Sequence, residues 1–176
     1  MNINIYNKYL AEKIIDDFYP KPNVEFKKRN CVRGVIFNDK EEIALLYING
    51  TDMFGKRDHF ELPGGGIEEN ENFYEALQRE IDEELGYSIK NIEFLGIIEN
   101  EYNLLKRSDK QHFFMADIDK KTEQHLLDYE KELFGNIVFI HKDKIIEMYE
   151  NYNPKNVGIE IHKRDLIAIK EALKRK

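Results

Sequence analysis

Apolar residues recur at helical spacing near the start of the chain, where Tyr6, Tyr9, Leu10, Ile14, Ile15 and Phe18 precede a Tyr19 to Asn23 stretch broken by Pro20 and Pro22. That spacing predicts a helix over residues 6 to 18, stopped by the prolines. Two apolar, β-branched runs follow, Cys31 to Phe37 and Glu42 to Ile48, joined by Asn38, Asp39, Lys40 and Glu41, and they predict a β-hairpin. Residues 49 to 58 are polar and predict a loop. A short strand is expected from His59 to Leu62, ended by Pro63 and by Gly64, Gly65 and Gly66. Asn72 with Glu75 three residues later forms a capping-box pattern and Gly86 stands where a C-cap glycine belongs, so a helix is expected over 73 to 85.

Downstream, Asn91 to Glu101 and His112 to Ile118 read as neighbouring strands across a polar connection holding Lys106, Arg107, Asp109 and Lys110. Residues 119 to 136 are mostly polar with one helical turn near Leu126 and Leu127, before strand-like Ile137 to Ile140. Helices are expected near 143 to 151 and over 163 to 174, the latter burying Leu166, Ile167, Ile169, Ala172 and Leu173. Strands interrupted by a central helix, with helices at both ends, predict an α+β sandwich. One domain over 1-176 is expected: an N-terminal helical extension (1-28), a core (29-145) and a C-terminal helical segment (146-176).

Composition narrows the function classes. With 27 Lys plus Arg against 34 Asp plus Glu and a net charge of -7, no extended nucleic-acid surface is evident, so an anionic ligand would need a local cation. Cys31 is the single cysteine; it cannot form an internal disulfide, and its apolar run favours a small buried hydrophobe. No apolar stretch approaches the ~20 residues needed to cross a bilayer, and the first residues lack the apolar core of a signal peptide, so a cytoplasmic protein with no membrane association is expected.

The chemistry concentrates in Leu62 to Tyr87, LPGGGIEENENFYEALQREIDEELGY. Placing Glu80 at zero on a helical wheel puts Glu84 near about +40° and Glu83 near about −60°. The three carboxylates share one sector, and Glu84 overlaps the apolar face. Like charges at this spacing destabilise a helix, so something positive should compensate. Arg79, four residues before Glu83, supplies one charge, and a hard divalent cation with oxygen ligands suits the remainder. A Glu-rich helix is more commonly just a solvated face, and glycines after a proline just a tight turn; here the two occur together.

The segment resembles the Nudix signature: a Gly, five residues, a Glu, seven residues, then Arg-Glu, a bulky apolar residue, any residue, Glu-Glu, any residue, Gly and a bulky aliphatic. Gly65, Glu71, Arg79, Glu80, Ile81, Glu83, Glu84 and Gly86 match, and Tyr87 departs at the final aliphatic position. The resemblance implies an α/β/α sandwich with a mixed sheet around the signature helix. It implies Glu80, Glu83, Glu84 and the Gly64 carbonyl as ligands of Mg2+, with Mn2+ as the alternative, one glutamate as a base, Arg79 holding a glutamate, and Glu71 in the loop–helix framework. Family members often add a carboxylate from a later loop; Glu132 is the first candidate, ahead of Glu130, Glu101 and Glu99.

The implied activity is hydrolysis of a nucleoside diphosphate linked to another moiety, by water attack on phosphorus, and the implied partner is a nucleotide-type small molecule. Phe54, Phe60 and Tyr102 are candidates to stack on a base, and Lys56, Arg57, Arg107 and Lys110 to meet phosphates; core packing and solvated charge are their ordinary roles. His59 and His112 read as structural histidines. Competing expectations are a nucleotide-sensing module without catalysis and an isoprenyl diphosphate isomerase using Cys31. The terminal helices offer surfaces for a homodimer.

Overall fold

The structure, a computed structural model, describes residues 7–176. The first apolar run belongs to a longer strand, β1 (Lys27–Phe37), and the second forms β2 (Glu42–Ile48). The hairpin between them is confined to its tip, where Asn38 N donates to Glu42 O at 2.9 Å and only Phe37 and Ile43 are in register. Beyond that pair each strand finds other partners. The polar loop folds into a small hairpin, β3 (Thr51–Asp52) and β4 (Gly55–Lys56), before β5 (His59–Glu61). The glycine triplet is itself a strand, β6 (Gly64–Gly66), paired antiparallel to Cys31–Arg33 of β1.

The signature helix α1 (Phe73–Leu85) has the predicted limits, with both halves of the Asn72–Glu75 capping box formed and Gly86 left-handed at its C-cap. Strands β7 (Tyr87–Tyr102) and β8 (Arg107–Lys121) are longer than expected. They are followed by α2 (Asp128–Leu133), β9 (Phe134–His141), α3 (Lys142–Asn151) and α4 (Gly158–Arg175). The sheet runs β5-β2-β1-β8-β7, with β6 also on β1 and β9 also on β2. β1 and β8 are parallel and the other pairings antiparallel, so the sheet is mixed.

Alternation along β1 builds two cores. Val32 and Ile36 pack with Leu77 and Ile81 of α1, whereas Val35 and Phe37 pack with Ile145 of α3 and Ala168 and Ile169 of α4. Helices on both faces make an α/β/α sandwich. Among the described residues no helix is long and apolar enough to cross a membrane.

Two further expectations fail. No helix forms between residues 8 and 26, and Tyr6 lies outside the described residues. Tyr9 and Ile14 instead bridge in parallel to Ile97 and Asn100 of β7, with Leu10 N donating to Ile97 O at 2.9 Å and Ile14 N to Glu99 O at 2.8 Å. β7 ends the sheet order, and its unpaired backbone groups are stronger partners for this segment than a short isolated helix is for itself. Gly96 permits the approach, since a Cβ there would stand 2.6 Å from Leu10 Cδ2. The second miss is the start of α4, at Gly158 rather than 163, because its first turns bury Glu160, His162, Arg164 and Asp165, which apolar periodicity does not register.

Glu160 is buried against the N-terminal segment, where Asp16 accepts bonds from Phe18 N, Tyr19 N and Asn103 N. Burial first, and the Asp16 charge second, push the Glu160 carboxyl up to about 8. A carboxyl that binds its proton more tightly folded than unfolded is harmless below its ordinary value of 4.5 and loses stability as pH rises from there to about 8. Glu160→Gln should match the native chain near pH 4 and exceed it above pH 8 by on the order of 2 kcal/mol after solvent screening. Urea midpoints across that range check this; a constant offset would refute it.

Candidate active site

The capping box and the left-handed Gly86 fix the ends of α1, so the 3.6-residue period alone sets which carboxylates face inward. Glu80 and Glu84 are buried and Glu83 is half-buried. Glu84 Oε2 accepts the Gly64 N–H at 2.7 Å, which ties the helix to β6. Gly65 has to be glycine, because a Cβ there would lie 2.5 Å from Glu80 Oε1.

Arg79 spends its donors on this frame. Nε and Nη2 form a fork on Glu71 at 2.6 and 2.9 Å, Nη1 reaches Glu80 at 2.8 Å and Glu83 at 3.2 Å, and Nη2 also bonds Gly66 O at 3.0 Å. This bond set holds the Glu71 carboxyl below its ordinary range. Burial pushes Glu80 up, with Arg79 opposing and Glu83 reinforcing. Glu84 is driven well above the usual carboxylate range by burial and then by the Glu80 charge, and the Gly64 bond only partly offsets this. One arginine does not neutralise the cluster.

These residues line a cleft of about 730 Å³ with two chemically different ends. Glu80, Glu83 and Glu84 form one, joined by Glu130 of α2, which accepts bonds from Leu127 N at 2.8 Å and the Tyr129 hydroxyl at 3.1 Å. Arg29, Arg33, Arg57 and Arg107 line the other, interspersed with Asp52 and Glu61. Met53, Leu127 and Tyr129 stand exposed at its edge.

Behind the arginines lies a buried ionic network. Arg33 Nη1 pairs with Glu61 Oε1 at 2.9 Å and bonds Leu62 O at 2.8 Å, while Arg164 reaches Glu61 at 3.2 Å, Asp165 at 2.8 Å and the Tyr102 hydroxyl at 3.3 Å. Burial opposes ionisation of Glu61, but Arg33, His59 and Arg164 outweigh it and hold the carboxyl well below its ordinary range. The oxygen-only donor set, the surplus negative charge and the glycine cradle under Glu80 suit a hard cation such as magnesium. Among the described residues no three candidate ligands stand together at metal spacing: Arg79 lies between Glu80 and Glu83, and Glu84 is turned to Gly64 N.

The family profile of the NUDIX domain matches residues 27–153. This chain belongs to the Nudix family. Among curated Nudix relatives, an 8-oxo-dGTP diphosphatase of Buchnera aphidicola is 41% identical over 83 residues, covering 46% of this chain and 59% of that protein. An RNA pyrophosphohydrolase of Psychrobacter is 29% identical over 100 residues, 48% and 58% of the two chains. An 8-oxo-dGDP phosphatase of Danio rerio is 38% identical over 78 residues, 43% of this chain and 23% of that protein. The chain thus spans less than two thirds of the length of these relatives. A solved Nudix hydrolase from Nitrosomonas europaea superposes with a TM-score of 0.62 at 18% identity, covering 85% of this chain and 91% of that one, a likeness of fold.

The structure brings Gly64, Arg79, Glu80, Glu83 and Glu84 to one cleft, along with Phe54, Arg57 and Arg107. It does not bring Glu132, which is exposed two residues beyond Glu130. Lys56 and Lys110 lie outside the cleft lining, and Phe60 packs instead on Tyr47 and Tyr152. His112 is buried with Nδ1 3.1 Å from Cys31 O, and its ring lies against Phe73, a structural role; burial lowers its pKa. Cys31 is buried too, and burial, followed by Asp109, pushes its thiol up, which disfavours the thiolate an isomerase would need. Sequence reading missed Arg29, Arg33 and Glu61. Each stands in a strand among other residue types, and only strand pairing shows that they share a cavity.

Proposed function

We propose that this Nudix protein is a divalent-metal-dependent pyrophosphohydrolase acting on a nucleoside diphosphate linked to another moiety. The observation that carries the reading is one cleft that holds the cluster Glu80, Glu83, Glu84 and Glu130 together with Arg29, Arg33, Arg57 and Arg107. The names of two curated relatives, a diphosphatase and a pyrophosphohydrolase, support it.

In this reading Glu80, Glu83, Glu84 and the Gly64 carbonyl hold Mg2+ or Mn2+, with Glu130 in the place expected of Glu132. Bound there, the cation would polarise the phosphoryl oxygens and acidify a water. The chain does the rest. Arg79 fixes the directions of Glu80 and Glu83, and one of Glu83 and Glu84 takes the proton of the attacking water. The arginine wall orients the phosphate chain, and the exposed Met53, Leu127 and Tyr129 offer the base an apolar face. Water adds to phosphorus, the anhydride P–O bond breaks, and the leaving phosphate carries off the electron pair.

A screen of nucleoside triphosphates, nucleoside diphosphate conjugates, dinucleoside polyphosphates and 5′-triphosphorylated RNA tests this with and without chelator. Turnover that needs Mg2+ or Mn2+ and stops with EDTA is expected. Nucleotide binding without phosphate release would instead make the protein a sensing module, and turnover of isopentenyl diphosphate would make it an isomerase.

A further inference from the structure

Past Gly65 the cleft continues into a small chamber of about 120 Å³, which Arg29, Arg33, Arg57 and Arg107 share with only two carboxylates, Glu61 and Asp109. Arg33 is committed to Glu61 at 2.9 Å, and Arg107 bonds Asp109 through Nη2 at 2.9 Å. Arg57 is different. Its Nη1 reaches Asp52 at 2.8 Å, but its Nε–H is buried without an acceptor, although the residue is only 7% exposed. Arg29 lies over Gly66, where a Cβ would collide with its guanidinium, and that guanidinium makes no ion pair or hydrogen bond among the described residues.

A buried donor without an acceptor is destabilising, and its strongest satisfaction is an anionic oxygen. One guanidinium without a carboxylate partner, Arg29, and one buried unpaired donor, Arg57 Nε–H, beside the same small recess ask for a compact anion with several acceptor oxygens. The volume corresponds to about four waters, enough for one phosphate group and too little for a sugar or base beyond it. Phe54, Tyr102, Val157 and Ile161 add largely apolar surface to its lining.

We infer that this chamber is a subsite for a terminal phosphate, so that the substrate of the adjoining glutamate site ends in a free phosphate and is not esterified at both ends. The substrate consequence rests on the hydrolase reading above, whereas phosphate binding does not. Nucleoside tri- or diphosphates and 5′-phosphorylated ends fit; dinucleoside polyphosphates and nucleoside diphosphate sugars do not.

Two arms test it on the full chain. Inorganic phosphate is titrated calorimetrically without divalent cation into the native chain, Arg57→Gln and Arg29→Gln. Binding at least tenfold weaker in Arg57→Gln is expected. A several-fold loss is expected in Arg29→Gln, whose exposed position leaves Tm unchanged and guards against misfolding of the Arg57 variant. In the second arm, a nucleoside triphosphate is compared with its terminal methyl ester under Mg2+. The native chain should prefer the free phosphate at least tenfold, and Arg57→Gln should lose that preference. No phosphate binding by the native chain, phosphate binding unchanged in both variants, or equal turnover of the ester would overturn the subsite. Phosphate binding lost in the variants with no turnover of any substrate would uphold the subsite and sink the hydrolase reading.

Discussion

Glu84→Gln should lower turnover by about a hundred- to a thousand-fold while leaving the metal-free protein at least as stable as the native chain. Gln keeps an oxygen for the Gly64 N–H and nearly the same shape, so the tie between α1 and β6 survives. It removes a charge that is 4% exposed and crowded by Glu80. Because the folded-state pKa of Glu84 is raised above the ordinary 4.5, the native chain loses stability as pH climbs from below that value through the raised pKa. The stability advantage of the variant should therefore widen with pH in the absence of metal. Adding Mg2+ should reverse the order, since a cation that binds only the folded state raises Tm and the variant lacks one of the carboxylates proposed to hold it. Single-turnover kinetics and melting curves with and without Mg2+ decide this. A Glu84→Gln enzyme of near-native, metal-dependent rate would remove Glu84 from the chemistry.

Arg164→Met should destabilise the fold by about 3–5 kcal/mol, the loss typical of stripping one partner from a buried ionic group. For a chain of this length that corresponds to a fall in Tm of roughly 6–20 °C. Met retains much of the volume. What goes is the cation shared by the part-buried Glu61 and the fully buried Asp165, and the bond to the Tyr102 hydroxyl. Asp165 also accepts the Leu62 N–H at 2.7 Å, just before the Pro63 turn into the glycine strand, so the loss reaches the cleft through β5 and β6. Turnover should decline with a rise in KM as Glu61 and Arg33 lose their orientation. Calorimetric melting and steady-state kinetics at a temperature where both proteins are folded separate the two effects. A change in Tm under about 2 °C would show the network to be surface-like in its energetics.

The signature helix was legible in the sequence because all its determinants are local. Asn72 and Glu75 cap one end, Gly86 closes the other, and the helical period places Glu80, Glu83 and Glu84 in one sector whatever lies around them. An α+β sandwich was legible for a similar reason, since apolar strands and amphipathic helices must bury their faces on one another, whereas the mixed sheet followed only from the Nudix resemblance. The wrong readings share a cause as well. Residues 8 to 18 carry a helical spacing, but an open sheet edge across Gly96 offered that backbone better partners, and no local pattern encodes a distant edge.

Only the tertiary structure chose Glu130 over Glu132, because both lie in the six residues of α2 and the docking of that helix against the cleft decides which one turns inward. The arginine wall was decided the same way. Arg29 and Arg33 sit on β1 and Arg107 on β8, some seventy residues later, and the parallel register that sets Lys27 against Arg107 is what gathers them. Local sequence fixes what a helix presents along its own axis. Strand pairing between remote segments fixes what faces it across a cavity, and that pairing depends on the energy of the whole sheet.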